Sequence, residues 1–253
     1  MERQELFNYI IKWADHSLIL GQRLGEWCGH GPALEEDIAL TNISLDLIGQ
    51  ARSLLTYAGE VEGKGRDEDQ LAFFRDVRDF KNPLLAELPN GHFGDTVVRQ
   101  FFSDHFLFLA YEAMMEQSSD EQLKAIAAKS IKEVAYHRKH SSDWIVRLGD
   151  GTEESQAKIQ QSVDDIWEFT GELFTMDDND RLALEAGVGI DVSLLRDAWL
   201  KNVQTVFEAA TINMPDPEAW MQKGGKQGFH TEYLGYILAE MQHIPRAYPN
   251  AQW

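Results

Sequence analysis

The chain has 253 residues, of which 43% are hydrophobic and 26% are charged, a balance typical of a globular protein. Lys and Arg total 23 against 42 Asp and Glu, so the formal net charge at pH 7 is -19. This charge opposes binding to nucleic acid phosphates and to anionic membrane surfaces, and we expect neither class of partner.

The N-terminal segment and the cysteine content predict a cytoplasmic protein. Met1 is followed by acidic residues where a signal peptide would be basic, and no later run approaches the roughly 18 apolar residues of a membrane span. Cys28 is alone and cannot form an internal disulfide bond. Its position beside Trp27 near a predicted helix end favours a packing role over redox chemistry.

Apolar residues recur at helical spacing along almost the whole chain. We predict two long helices over about residues 4–28 and 32–59, a short helix over 71–80, a third long helix capped by Asp95, and a fourth that Ser119 and Gln122 open as a capping box and that ends at Gly149. An Asp-rich loop then separates predicted helices over about residues 153–174 and 193–212, and a last helix covers about 230–242.

No segment has the alternating pattern of a convincing strand. The prediction is therefore an all-α protein: a ferritin-like four-helix bundle with additional C-terminal helices. We expect a single domain over residues 1–253, with the core bundle at about 4–149 and an added helical layer at about 150–253.

Two polar pairs interrupt the apolar stripes of the second and fourth predicted helices. Asn42 with Asp46, and Glu133 with His137, have i,i+4 spacing, so each pair shares one helix face. Ferritin-like di-iron proteins hold their ligands at such inward positions, with a Glu from each of two helices and Glu-x-x-His from each of the other two. Asp104 on the third predicted helix could join this cluster.

The ligand pattern is incomplete, which leaves a metal site and a metal-free network as alternatives. Asn42 is neutral, Glu133 is followed at i+3 by Tyr136 instead of His, and the first helix offers Gln22 and Arg23 near its middle. A buried hydrogen-bonded network fits these residues better than a di-iron centre. We therefore assign no catalytic or metal-binding residue. The candidates for a vestigial site are Asn42, Asp46, Asp104, Glu133 and His137.

Two further motifs are weaker. Glu240 and His243 form a literal Glu-x-x-His, but they precede Pro245 near a helix end, and we expect them to face solvent. Lys223, Gly225 and Lys226 precede a helix and contain elements of an anion-binding loop, although the spacing of a P-loop is missing. The cofactor-binding residues thus remain unknown, with these three as weak candidates.

Several segments are more specific than any single motif. They are residues 20–30 (LGQRLGEWCGH), 43–52 (ISLDLIGQAR), 89–91 (PNG), 132–137 (KEVAYH), 230–235 (HTEYLG) and 238–242 (LAEMQ). In this order, along nearly the whole chain, they resemble the C-subunit family (PaaC type) of the bacterial ring-epoxidising oxygenases of phenylacetate degradation.

The resemblance implies a ferritin-like, noncatalytic subunit of a phenylacetyl-coenzyme A epoxidase. It also implies that the related catalytic subunit holds the di-iron centre and the acyl-coenzyme A, that a reductase with FAD and an iron-sulfur cluster supplies electrons from NADPH, and that this chain has no cofactor of its own. The expected partners are the catalytic subunit, other subunits of the complex and, when the chain is alone, a second copy. The alternative is a catalytic di-iron oxygenase that uses Asp46, Asp104, Glu133 and His137.

Overall fold

A computed structural model describes residues 1–249 and residue 251. The regular elements in this part of the chain are all helices, so the all-α class is confirmed. The α-helices are α1 (Arg3–Gly25), α2 (Leu34–Glu62), α3 (Glu68–Phe73), α4 (Leu84–Glu87), α5 (Phe93–Gln117), α6 (Glu121–Gly149), α7 (Glu153–Trp167), α8 (Asp178–Glu185), α9 (Arg196–Ala209) and α10 (Glu232–Ala247). Short 3-10 helices cover Val77–Asp79, Gly171–Phe174, Val192–Leu195 and Gly225–Gln227.

The chain divides into two compact units. Unit 1 contains Met1–Leu88 and the described residues from Gly224 onward, and unit 2 contains Pro89–Lys223. Unit 1 therefore holds α1 to α4 and α10, and unit 2 holds α5 to α9. Each unit contains one pair of long helices, and two such pairs are the components of a ferritin-like bundle. The single domain, with its core and added layer, stays a prediction.

The helix ends show what the sequence pattern missed. The side chain of Asp120, not Ser119, accepts hydrogen bonds from the backbone of α6, and His92, not Asp95, occupies the cap position of α5. The predicted Asp-rich loop contains α8, because Asp177 accepts a hydrogen bond from the Asp180 backbone N–H and starts a helix there. None of the helices within the described residues is long and apolar enough to cross a membrane.

In unit 1, α1 and α2 pack along each other, joined by the short connection at residues 26–33. A Cβ atom at Gly21 would lie 3.2 Å from the side chain of Leu47 and 3.3 Å from the carbonyl oxygen of Ser44. The Ser44 hydroxyl also donates a 2.8 Å hydrogen bond to the carbonyl of Gly21. Gly21 thus permits a close approach of the two backbones, and a larger side chain there would push the helices apart.

The inward face of α2 differs from the predicted one. The helix buries Leu40, Ile43, Leu47 and Leu54, whereas Ile38, one turn before Asn42 on the stripe that the sequence predicts to face inward, is exposed. The prediction of the α2 face was wrong because this helix carries apolar residues on more than one side, and the pattern alone did not distinguish between the sides.

Unit 2 is built around α5 and α6, with α7 and α9 packed against them. Its core is rich in aromatic rings that meet edge to face or tilted. Trp199 lies 5.5 Å from Phe102 between ring centroids, and its indole N–H donates a 3.1 Å hydrogen bond to the Phe102 carbonyl. Phe102 also meets Trp167 at 5.7 Å. The added C-terminal helices α7 and α9 therefore contribute directly to the core of unit 2.

A buried ion pair joins α1 to the segment after α3. The carboxylate of Asp15 is fully buried and accepts two hydrogen bonds from the guanidinium of Arg75, one of them from Nη1 at 2.9 Å. The backbone N–H of Lys81 donates a third bond to Asp15 at 2.8 Å. Arg75 also stacks on the Phe80 ring, with 4.1 Å to the centroid. The Asp15 carboxylate and the Arg75 guanidinium thus pair with each other, and the guanidinium gains a further favourable contact with the Phe80 ring.

We expect the change Asp15→Ala to lower the free energy of unfolding by about 3–5 kcal/mol, because it leaves a guanidinium buried without a counter-charge. Denaturant unfolding would measure the loss. Asp143→Ala is the matched control, since it removes the exposed ion pair with Lys139 and should cost no more than about 1 kcal/mol. Equal, small losses in both variants would contradict the role of the Asp15–Arg75 pair.

Candidate functional site

The five residues predicted as a vestigial site are divided between the two units. Asn42 and Asp46 lie on α2 of unit 1, whereas Asp104 on α5 and Glu133 and His137 on α6 belong to unit 2. Each half is described by itself.

In unit 1, Asn42 is exposed and Asp46 is half-buried. The expectation that both lie on a buried stripe is therefore wrong for Asn42. The physical reason is the helix phase: α2 packs its Leu40, Ile43 and Leu47 side against α1, and Asn42 points away from that side. Two neighbouring polar groups at i,i+4 thus mark an outer flank of α2.

In unit 2, the structure brings Asp104 together with residues of α6. The Asp104 carboxyl is fully buried, 2.6 Å from the amide nitrogen of Gln100 and 2.8 Å from the hydroxyl of Ser141. Ser141 lies one turn after His137, and its hydroxyl is 3.0 Å from the His137 carbonyl oxygen. His137 is fully buried, while Glu133 is half-buried. Asp104 thus contacts α6 at Ser141, one turn after His137, and a shared site of Asp104 and His137 stays a prediction.

Burial raises the pKa of the Asp104 carboxyl from its ordinary 3.8 to about 8, although the hydrogen bonds from Ser141 and Gln100 act in the opposite direction. At neutral pH the group is therefore a neutral acid. The Ser141 hydroxyl faces three oxygens, the Asp104 carboxyl at 2.8 Å and the His137 and Arg138 carbonyls of its own helix at 3.0 and 3.3 Å. Its single proton can serve only one of them fully, so a proton on Asp104 lets the two side chains share a hydrogen bond in either direction.

A second buried histidine lies beside this cluster. Burial, with a smaller contribution from the charge of Arg138, lowers the pKa of His105 to about 3, so its ring is neutral at neutral pH. His105 Nε2 lies 3.0 Å from the Ser142 hydroxyl, and the ring packs on Phe101 at 4.5 Å between centroids. Arg138 stacks on Phe108. The α5–α6 contact thus combines neutral polar groups with aromatic packing.

These residues do not fit a di-iron centre. A di-iron site of the ferritin-like kind needs about four carboxylates and two imidazoles that converge on the metal ions. Across the residues that the structure describes, no three His, Cys, Asp or Glu side chains are grouped as a metal site would require. Chemically, the arrangement can hold the register of α5 against α6. The absence of a metal in this chain stays a prediction.

A polar cluster surrounds Glu87 in unit 1, and it was not predicted from the sequence. The fully buried Glu87 carboxylate accepts hydrogen bonds from Asn82 (2.9 Å), from His230 (2.8 Å) and from the backbone N–H and hydroxyl of Thr231 (2.6 and 2.8 Å). Arg23 donates to the Glu87 carbonyl at 3.0 and 3.2 Å. A single Glu within the apolar run at residues 84–88 was the available signal.

The two ring nitrogens of His230 both face oxygen atoms. Nδ1 lies 2.8 Å from the Glu87 carboxylate and Nε2 lies 2.9 Å from the Phe80 carbonyl. The imidazole therefore bridges the Glu87 side chain and the backbone of Phe80. His230 and Thr231 therefore attach the start of α10 to α4. These two residues begin the segment 230–235 quoted above, so the start of that segment has a structural role.

The structure also shows where Glu240, His243, Cys28 and the glycine-containing loop lie. Glu240 and His243 are exposed, so their predicted orientation towards solvent is confirmed. Cys28 is also exposed, so its predicted packing role was wrong. In the glycine-containing loop, Lys223 belongs to unit 2, while Gly225 and Lys226 belong to unit 1.

Close packing explains one glycine of this loop. Gly228 has φ +84°, and a Cβ atom there would lie 2.4 Å from the Arg78 carbonyl oxygen. The charge of Lys226 adds to burial in lowering the pKa of His16 to about 3. Anion binding by Lys223, Gly225 and Lys226 remains a prediction.

The raised pKa of Asp104 predicts a pH-dependent stability. Above about pH 4 the unfolded chain releases the Asp104 proton while the folded chain keeps it. The contribution of Asp104 to the free energy of unfolding is therefore lost as pH rises towards 8. Asp104→Asn keeps a neutral group that can accept from Gln100 and donate to Ser141. Between pH 5 and 8, the wild-type protein should lose stability relative to this variant, by at most about 1.4 kcal/mol per pH unit.

Denaturant unfolding at several pH values would measure this difference. Asp143→Asn, at an exposed position of α6, is the control and should follow the wild-type pH profile. Parallel profiles for Asp104→Asn and the wild type would show that Asp104 is ionised in the folded protein.

Comparison with known proteins agrees with the resemblance seen in the sequence. A family model described as "Phenylacetic acid catabolic protein" matches residues 1–253. The chain is also 50% identical, over 249 residues, to the C subunit of the 1,2-phenylacetyl-CoA epoxidase of Escherichia coli (strain K12), and the alignment covers 98% of this chain and 99% of that protein. The chain therefore belongs to the phenylacetic acid catabolic protein family.

Proposed function

We propose that this chain is the noncatalytic, structural subunit of a multicomponent phenylacetyl-coenzyme A 1,2-epoxidase in aerobic phenylacetate catabolism. The observation that carries the proposal is the near full-length similarity to the epoxidase C subunit of Escherichia coli. In this proposal the complex acts in the cytoplasm. Its partner subunit holds the di-iron centre, and a reductase with FAD and an iron-sulfur cluster supplies electrons from NADPH.

The chemistry of the α5–α6 cluster supports the noncatalytic part of the proposal. A di-iron site of the ferritin-like kind needs about four carboxylates and two imidazoles, all able to coordinate. Asp104 instead is hydrogen-bonded to Gln100 and Ser141, and Asn42 is a neutral amide at an exposed position. The inward polar groups thus stabilise helix packing, and the chain would contribute to epoxidation through its surface.

The second candidate function is a catalytic di-iron oxygenase that uses Asp46, Asp104, Glu133 and His137. The burial of Asp104 and His137 on adjoining helices is the observation that favours it. Iron binding would then have to displace the proton of Asp104, and metal affinity would rise with pH.

Metal analysis separates the two functions. We expect the chain, expressed with iron(II) and purified alone, to contain no stoichiometric iron, because its ligand set is incomplete and no three possible ligands are grouped among the described residues. Elemental analysis and the absorption spectrum are the measurements. A content of about two iron atoms per chain, with an oxo-bridge band, would support the catalytic alternative.

Reconstitution tests the structural role. Turnover of phenylacetyl-coenzyme A by the catalytic subunit, the reductase and the other components should require this chain, because a structural subunit acts by completing the assembly. An Asp104→Asn chain should support the same turnover as the wild type, since the carboxylate is not a ligand. Full turnover without the chain would refute the proposal, and turnover by this chain with the reductase alone would establish the alternative.

A further inference from the structure

One face of α2 leaves a row of apolar side chains uncovered. Leu34, Ile38 and Leu45 have 72%, 52% and 60% of their surface exposed, and Thr41 and Ile48 are half-buried between and beyond them. We call these five residues the α2 seam. The opposite side of the same helix is covered by α1.

The spacing of the α2 seam fits a helical occupant. Its residues follow one another at intervals of four, three, four and three, which is the a/d pattern of a coiled coil. Single exposed leucines are ordinary, but a continuous a/d row over two heptads is the surface that a second helix covers at a small crossing angle.

The charges beside the α2 seam define the occupant further. Glu35 and Asp37 occupy the e and g positions that flank its N-terminal part, and Arg52 follows at the next a position, where it pairs with Glu68 at 3.2 Å. Asp37 accepts a 2.9 Å hydrogen bond from the backbone N–H of Gly31, and this bond with those of neighbouring N–H groups lowers the pKa of the Asp37 carboxyl. Residues that flank a helical seam select partners by charge, and these favour Lys or Arg on the facing helix.

We propose that the α2 seam is the docking surface for one helix of the catalytic oxygenase subunit, a helix with an apolar a/d row and basic flanks. The inference rests on the proposed structural function. A second copy of this chain is a poorer occupant, because each copy has a formal charge of -19 and two acidic residues, Glu35 and Asp37, flank its seam. Bringing two such faces together costs electrostatic energy, whereas a basic helix gains it.

The test measures binding of the purified full-length chain to the purified catalytic subunit. Ile38→Glu and Leu45→Glu place a charge in the α2 seam while keeping good helix formers. Both side chains are largely exposed, so circular dichroism and thermal melting should be unchanged. We expect each variant to weaken the affinity at least about tenfold, because a carboxylate would be buried against apolar side chains. Leu182→Glu, an equally acidic change at an exposed leucine of α8, should bind like the wild type.

A charge reversal tests the occupant's chemistry. Glu35→Lys should weaken binding and reduce its dependence on salt, because it removes one attraction to a basic flank. At saturating concentrations of the seam variants, turnover per assembled complex should return to the wild-type value, since the seam affects assembly alone.

The outcomes separate this inference from the proposed function. If the wild-type chain does not bind the catalytic subunit, the proposed function fails. If the wild type binds and both seam variants bind equally well, the function stands and the docking surface is wrong. If the variants lose only self-association, measured by analytical ultracentrifugation, the occupant is a second copy and the proposal is overturned.

Discussion

The arrangement of unit 1 depends on two carboxylates that are fully buried, those of Asp15 and Glu87. An ionised carboxylate inside a protein is tolerated only when charge and hydrogen bonds surround it. Arg75 and the Lys81 backbone supply them for Asp15, and the Glu87 carboxylate is satisfied by Asn82, His230 and Thr231. These bonds place the segments before α5 and at the start of α10 against α1 and α4, so chain segments distant in sequence share one core.

The buried carboxyl group of Asp104 in unit 2 is stabilised in a different way. Asp104 has no cation among its hydrogen-bond partners Gln100 and Ser141, and burial keeps it protonated. The two units thus show the two solutions available to a buried acid, a paired anion or a neutral acid. Asp104 is bonded to Gln100 of its own helix and to Ser141 of α6, so it joins α5 to α6. In the proposed structural subunit, this contact stabilises helix packing.

The surface carries the rest of the functional argument. Under the proposed function, the chain acts by binding other subunits, and the α2 seam is the surface proposed for that contact. Its residues have the spacing of a core face in sequence although the structure leaves Leu34, Ile38 and Leu45 exposed. An apolar stripe in the sequence does not show whether a helix of the same chain or of another molecule covers it. Only the packing of the rest of the chain shows which stripes stay exposed.

The sequence by itself determined the all-α class, the positions of the long helices and the family. These properties depend on local spacing, helix caps and short segments read along the chain, so they need no knowledge of distant contacts. Asp104 and His137 were also found from the sequence, since both interrupt apolar faces of single helices. The helix starts at Asp120 and Asp177 were missed because several neighbouring polar residues competed for the cap.

Only the tertiary structure decided which side of α2 is buried, because apolar residues occur on both sides and only the contact with α1 distinguishes them. It also decided the partners of Glu87 and His230, which are separated by 143 residues in the chain. Pairing across such a distance has no local signal in one sequence. The protonation of Asp104 was equally beyond the pattern, since it follows from complete burial, which is a property of the packed helices.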